Sequence, residues 1–270
     1  MSGLFSTLNT ARTGIMAQQT AIDTTANNMS NASTDGYSRQ RVNMVATEQD
    51  GITEFGTSGP HAGTGVQVTD VTRIRDAFLD YQVREQTSNT GNIQYTSSYL
   101  TQLENIMQEP TSSGLSAQLS SFFSAWSTLA GDSNAGSSAR TSVCQQTLSL
   151  TNQLNYTYNK MQELKTNCQT SMKSYVEDIN SDFDKIDILN DKITALKTIG
   201  QEPNALMDQR DSLVDSISKY FGVKTDTDDV DGLTLKADGS AYSGETFIQP
   251  KNTDEESRLS YINDIEPTKD

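Results

Sequence analysis

One histidine, one tryptophan, two cysteines and five prolines in 270 residues are few enough to exclude several classes of protein. Cys144 and Cys168 are too few for a disulfide framework, and no CxxC or Cys/His cluster gives them metal-site spacing. They read as unpaired thiols on a helix. His61 sits in a Gly-rich stretch without a neighbouring Cys or paired acid, so it reads as an exposed bystander rather than a general base. With no nucleophile–base pair elsewhere, neither enzymatic activity nor a cofactor or metal is expected. Basic charge is also scarce: 20 Lys and Arg against 35 Asp and Glu leave a net charge of −15, which argues against nucleic acid and anionic membrane as partners. No apolar run approaches a membrane span. The N-terminus lacks the basic-then-apolar pattern and small-residue cleavage site of a secretory signal, so composition alone points to the cytosol.

What the chain does have is a long apolar stripe at its start. Leu4, Leu8, Ala11, Ile15, Ile22, Ala26 and Met29 recur at steps of three, four and seven, a seam with a period near 3.5 that suits a helix lying along another helix. The other faces carry Thr, Gln, Asn and small residues with little charge, which suits a helix packed among neighbours. The spacing predicts a helix ending near Asn31, because Asn and Ser side chains compete for backbone hydrogen bonds. Gly36 then supplies a turn, and an extended run begins at Arg39. A lone helix with so few charges is marginal in water, so ordering of this segment is expected only on assembly.

The residues of this turn are specific. Ala26-Asn27-Asn28-Met29-Ser30-Asn31 followed by Gly36-Tyr37-Ser38-Arg39-Gln40 closely resembles the N-terminal signature of the flagellar rod, hook and hook-associated proteins. The Tyr-Ser-Arg-Gln ending is most similar to the hook–filament junction members. Further stretches carry the same resemblance: Val66 to Gln86, Glu109-Pro110 through Trp126, Pro203-Asn204, and Leu206 to Asp211.

Along the rest of the chain, residues 43–65 read as a Gly/Thr-rich loop. Gly63-Thr-Gly65 leads into the alternating run Val66 to Val71, a strand where a nucleotide loop would open a helix, so no phosphate site is assigned. Helical spacing returns from Thr72 to Gln108, with a possible break at Asn89 to Gly91. Leu115, Leu119, Phe122, Phe123, Trp126 and Leu129 make the most apolar face in the chain and are expected to form its core. A very long helix is read from 137 to 199 along Val143, Leu150, Leu154, Met161, Leu164, Cys168, Tyr175, Ile179, Ile186, Ile193 and Leu196, with an eleven-residue stutter after Tyr175. On it the two thiols would lie about 36 Å apart, too far for a disulfide. A last helix carries Leu206, Leu213, Ile217 and Phe221. Asp208 and Asp211 beside Arg210 read as a salt-bridged face rather than catalytic carboxylates. Asp226, Asp228, Asp229 and Asp231 lack the register and the final Glu of a calcium loop and read as an acidic hairpin turn.

The expected fold is mainly α: an elongated bundle of long antiparallel helices with an N-terminal axial helix and a small β element near the C-terminus. The expected divisions are 1–42 (axial helix and signature turn), 43–71 (extended loop with short strands), 72–222 (long-helix rod) and 223–270 (the start of a β-rich outer domain). The resemblance implies a structural subunit outside the cell at the hook–filament junction, exported by the flagellar apparatus without a cleaved signal. Its implied partners are its own copies in a ring, the hook protein and the second junction protein. It also implies a C-terminal helix that pairs with the axial helix. This sequence shows no such segment, so it is expected to be the N-terminal part of a longer protein. A rod or hook subunit, or a free-standing coiled-coil adaptor, are the alternatives.

Overall fold

The computed structural model describes residues 2–47, 65–107, 114–131, 136–227, 232–237 and 246–248. It is mainly α, as expected. In chain order come α1 (Ser2–Ser30), β1 (Gln40–Ala46), β2 (Val66–Arg73), α2 (Ala77–Met107), α3 (Leu115–Gly131), α4 (Ser137–Thr198), α5 (Asn204–Ile217), β3 (Val223–Thr227), β4 (Leu233–Ala237) and β5 (Thr246–Ile248). His61, Gly63, Glu109, Pro110, and Asp228, Asp229 and Asp231 lie outside the described residues, so the readings made of them have no structural counterpart here.

Contacts divide the chain into two compact units, one within Met1–Ser88 and Asp182–Ser257, the other within Asn89–Ser181. In the second unit α2 and α3 each run antiparallel to α4 by their pairings. Tyr95 meets Tyr175 with ring centroids 5.6 Å apart. Gln118 Oε1 accepts from the Ser149 hydroxyl at 3.1 Å. No break occurs at Asn89 to Gly91; α2 runs through it. One glycine costs about 1 kcal/mol in a helix, which tertiary packing readily overrides. The helix starts where Asp76 Oδ1 caps it, accepting from the Phe78 and Leu79 N–H groups at 3.0 and 3.2 Å.

The aromatic face of α3 is not the core it was expected to be. No described residue of α3 is fully buried, and Phe123 and Trp126 are 65% and 49% exposed. Ser120, Ser121, Ser124, Ala125 and Thr128 face Ala139, Ser142 and Gln146 of α4 across a polar groove of about 440 Å³. The half-buried side of α3 carries Leu115, Ala117, Gln118, Phe122, Ala125 and Leu129, and Phe123 and Trp126 fall on its exposed side. Phe122 stacks edge-on against Phe123 and Trp126. Trp126→Ala is therefore expected to cost about 1 kcal/mol or less in urea denaturation, against the 3–5 of a core aromatic. The sole tryptophan should also be freely quenched by acrylamide.

The seam of α4 is likewise only partly closed here. Val143 and Leu150 are buried, but Leu154 and Met161 are substantially exposed and Thr157 is buried between them. Both thiols, Cys144 and Cys168, are free.

The dense core is in the first unit. Phe183, Ile186, Leu189 and Ile193 of α4 recur at steps of three and four and are buried, as are Met207, Val214 and Ile217 of α5 and Val223, Leu233 and Leu235 of the hairpin; Leu189, Ile193 and Met207 form one cluster with Leu206 and Leu213 against it. β3 and β4 pair antiparallel from Val223↔Ala237 to Thr227↔Leu233, and β5 adds to β4. Asn190, also buried, ties these layers together. Its Oδ1 accepts from Arg210 Nη1 at 2.8 Å and from the Leu233 N–H at 3.1 Å, while its Nδ2 donates to the Leu233 carbonyl at 2.9 Å.

Candidate assembly helix and its acid–arginine joint

In the structure α1 is a continuous 29-residue helix. Its back supplies the partner that sequence reasoning did not identify. Thr10, Thr13, Gly14, Ala17, Thr20, Ala21, Thr24 and Asn28 are buried or half-buried, a stripe of small residues that lets the β1–β2 ribbon approach closely. Thr20, Thr24 and Thr25 satisfy their hydroxyls on the carbonyls of Met16, Thr20 and Ala21. At the ribbon's edge Gly65 sits at φ +124°, and a Cβ there would collide with the Thr13 hydroxyl.

The opposite face is open. Leu8, Ile15, Ile22 and Met29 are 66%, 71%, 61% and 76% exposed, and Ala11 and Ala26 are exposed with them. Leu4's side chain lies outside the described residues. Large apolar side chains in line on a helix whose back is already occupied form an apolar surface that stands clear of the described chain.

The signature residues build the turn that leaves α1. Asn28 is its hub: Oδ1 accepts from the Tyr37 hydroxyl at 2.8 Å and from the Gln40 N–H at 2.9 Å, and Nδ2 donates to the Gln40 carbonyl at 2.8 Å. Asn31 Nδ2 donates to the Asn27 carbonyl and side-chain oxygen at 3.0 and 2.7 Å. Gly36, at φ +77°, passes Ser212 of α5. The Arg39 carbonyl accepts from the Ile74 N–H at 2.8 Å, so Arg39 contributes backbone while its side chain is exposed. Ser38 is buried, and its N–H donates to Asp208 Oδ2 at 3.2 Å.

Burial, together with the negative charge of Asp208, raises the pKa of the Tyr37 phenol. A raised folded-state value favours the neutral phenol, so this contribution is full below about pH 10 and is lost as pH rises through the folded value. Tyr37→Phe, which deletes the hydrogen bond to Asn28, is expected to cost about 1 kcal/mol at neutral pH. In denaturation curves the gap between wild type and variant should close at alkaline pH.

Asp208 is one of three acids along one face of α5. Asp208, Asp211 and Asp215 are spaced by three and four residues and meet arginines from distant parts of the chain. Arg73 Nη1 contacts Asp208 at 2.9 Å and Asp211 at 2.7 Å. Arg75 reaches Asp211 at 3.1 Å and Asp80 at 2.7 Å. Arg84 Nε meets Asp215 at 2.6 Å, and its Nη1 donates to the Thr225 hydroxyl at 3.2 Å. Burial pulls the Arg75 pKa down, but the hydrogen bond that Arg75 donates to Asp80 and the charges of Asp211, Asp80 and Asp215 more than offset it and hold it above the ordinary arginine value. Arg73 and Arg75, two apart in an extended run, project to the same side. This corrects the expected pairing: Arg210 does not neutralise its helical neighbours. About 100° per residue turns it away from the acids and into the core beside Asn190. Among the described residues no group of three or more His, Cys, Asp or Glu is arranged to hold a metal. The roles of Arg73, Arg75, Arg84, Asp215 and Asn190 were not foreseen. The three-and-four spacing of the acids on α5 was the available signal.

Comparison with known proteins fits this architecture. The Flagellar hook-associated protein FlgK helical domain matches residues 100–260, well over half of the chain. The chain belongs to the flagellar hook-associated protein FlgK family. The Flagella basal body rod protein pattern matches residues 8–37, the span of the exposed seam and most of the signature. That limited match, beside the helical-domain match, sets aside a rod or hook subunit. Flagellar hook-associated protein 1 of Bacillus subtilis is 36% identical over 256 residues, covering 94% of this chain and 50% of that protein. The Escherichia coli protein of the same name is 30% identical over 248 residues, covering 90% and 44%. The chain thus spans about half the length of the curated relatives it matches. In fold it is similar to the flagellar hook junction protein FlgK from Burkholderia pseudomallei, with a TM-score of 0.53 at 22% identity over 63% of this chain and 29% of that one.

Proposed function

We propose that this chain serves as a structural subunit of the bacterial flagellum that joins the hook to the filament, outside the cell, and that it assembles through the exposed seam of α1. The observation that carries this reading is the orientation of α1. Its small-residue back is fixed on the ribbon, and Leu8, Ile15, Ile22 and Met29 are left facing out at coiled-coil spacing. The partners of the reading are further copies of the chain in a ring, the hook protein on one side and the second junction protein on the other. The flagellar export apparatus would deliver it without a cleaved signal. The role is mechanical rather than enzymatic: acids that could have served chemistry are neutralised by arginines.

The test replaces the corresponding half of the Bacillus subtilis relative with this chain, in a strain lacking the native protein. Restored motility with filaments seated on hooks is the expected result. Export of the chimera with bare hooks, and filament subunits lost to the medium, would overturn the reading.

A further inference from the structure

We propose that Asp208 is a positioning residue: it holds α1 and the β1–β2 ribbon on the body of the fold and so sets the direction in which the seam faces. The inference deepens the proposed function and rests on it for the importance of that direction.

The argument begins with how the first 76 residues are held. Among the described residues of that span, Ala17 is the only fully buried apolar side chain, and the next member of the apolar core along the chain is Val143. The helix and ribbon pack on each other but send no large apolar residue into the Phe183–Ile193 core. Besides the grooves where Tyr37 neighbours Ala205 and Leu213 and Val71 neighbours Leu206, their links to α5 are hydrogen bonds and ion pairs. The Ser38 N–H and Arg73 Nη1 converge on Asp208, Arg73 also reaches Asp211, and the Val71 carbonyl accepts from Asn204 Nδ2 at 2.6 Å. Asp208 contacts both ends of the block, the signature turn through Ser38 and the end of β2 through Arg73. The Arg73, Asp208 and Asp211 side chains are only 11%, 10% and 12% exposed, where water screens little and a lost partner is keenly felt. Asp211 and Asp215 continue the contact to Arg75 and Arg84 along the same face.

A joint of this kind has a distinct signature. The core face of α5, with Met207, Val214 and Ile217, lies away from the acids, so loosening the joint leaves the core intact. α1 and the ribbon would then keep their own packing but lose their fixed orientation on the body.

The experiment uses the full 270-residue chain with Asp208→Asn, and with Arg73→Gln as a second variant that leaves α5 untouched. Hydrogen exchange is followed by mass spectrometry, and spin labels are placed at the exposed positions Gln18 and Gln209. Both variants are expected to speed exchange at least tenfold over residues 37–46 and 66–73. Exchange over 183–193, 207–217 and 223–237 should change less than twofold, and the label distance distribution should broaden. Uniform loss of protection would overturn the proposal by making Asp208 an ordinary part of the cooperative core. Unchanged exchange and distances would overturn it as well. The two readings separate cleanly: selective loosening in the variants together with bare hooks in the wild-type chimera would retire the junction role and keep the joint. Seated filaments with no selective loosening would do the reverse.

Discussion

Glutamate at both Ile15 and Ile22 is expected to abolish filament attachment in the chimera while leaving the isolated chain as stable as before. Both side chains are exposed in the structure, and exposed substitutions usually change stability by no more than about 0.5 kcal/mol. Glutamate is at least as good a helix former as isoleucine, so α1 itself should not suffer. Against a partner helix the balance reverses. Each isoleucine forfeits about 1.5–3 kcal/mol of burial, and each carboxylate placed in an apolar seam adds a desolvation cost of several kcal/mol. A combined loss of about 6 kcal/mol or more corresponds to at least four orders of magnitude in affinity. Thermal melting by circular dichroism checks the first half of the expectation, and electron microscopy of the cells checks the second. Seated filaments would remove the seam from the assembly contact. A loss of more than about 2 kcal/mol in the monomer would show that this face is engaged within the chain.

Asn190→Ala should produce the largest stability loss of any single substitution outside the apolar core, about 3–5 kcal/mol in urea denaturation. Three hydrogen bonds disappear together: one from the buried Arg210 guanidinium and two on the Leu233 backbone. A bond to a charged group contributes about 1.5–3 kcal/mol and each neutral one about 1. The loss falls where α4, α5 and β4 meet, so it weakens all three elements at once. Domains of this kind are stable by only about 5–15 kcal/mol, and the variant would lose a large share of that. Asn152→Ala, at an exposed position of the same helix, is the control and should stay within about 0.5 kcal/mol. A loss below about 1.5 kcal/mol for Asn190→Ala would mean that water replaces the amide and that the hairpin is held by its apolar residues alone.

The sequence by itself determined the helices, the signature turn and the outward face of α1, because these rest on local rules. Period 3.5 marks a helical stripe wherever its partner lies, Asn28 acts on Tyr37 and Gln40 within twelve residues, and Gly36 has the freedom its φ of +77° needs. The starts of the strands Gln40–Ala46 and Val66–Arg73 were legible for the same reason, but 43–46 read as loop and 72–73 as helix, because their strand state comes from pairing with each other across the ribbon. Tertiary structure alone decided which apolar faces became core. The aromatic stripe of α3 outranks that of α4 in side-chain size, yet burial belongs to whichever face meets another surface, and only Leu115, Phe122 and Leu129 of that stripe are even half-buried. It alone also decided the charge pairing. Asp208 and Asp211 found Arg73 and Arg75, more than 130 residues away in the chain, and left the adjacent Arg210 to Asn190. Attraction between ions carries no sequence address, and in a chain with 35 acids and 20 bases many pairings satisfy it equally until folding brings particular side chains together.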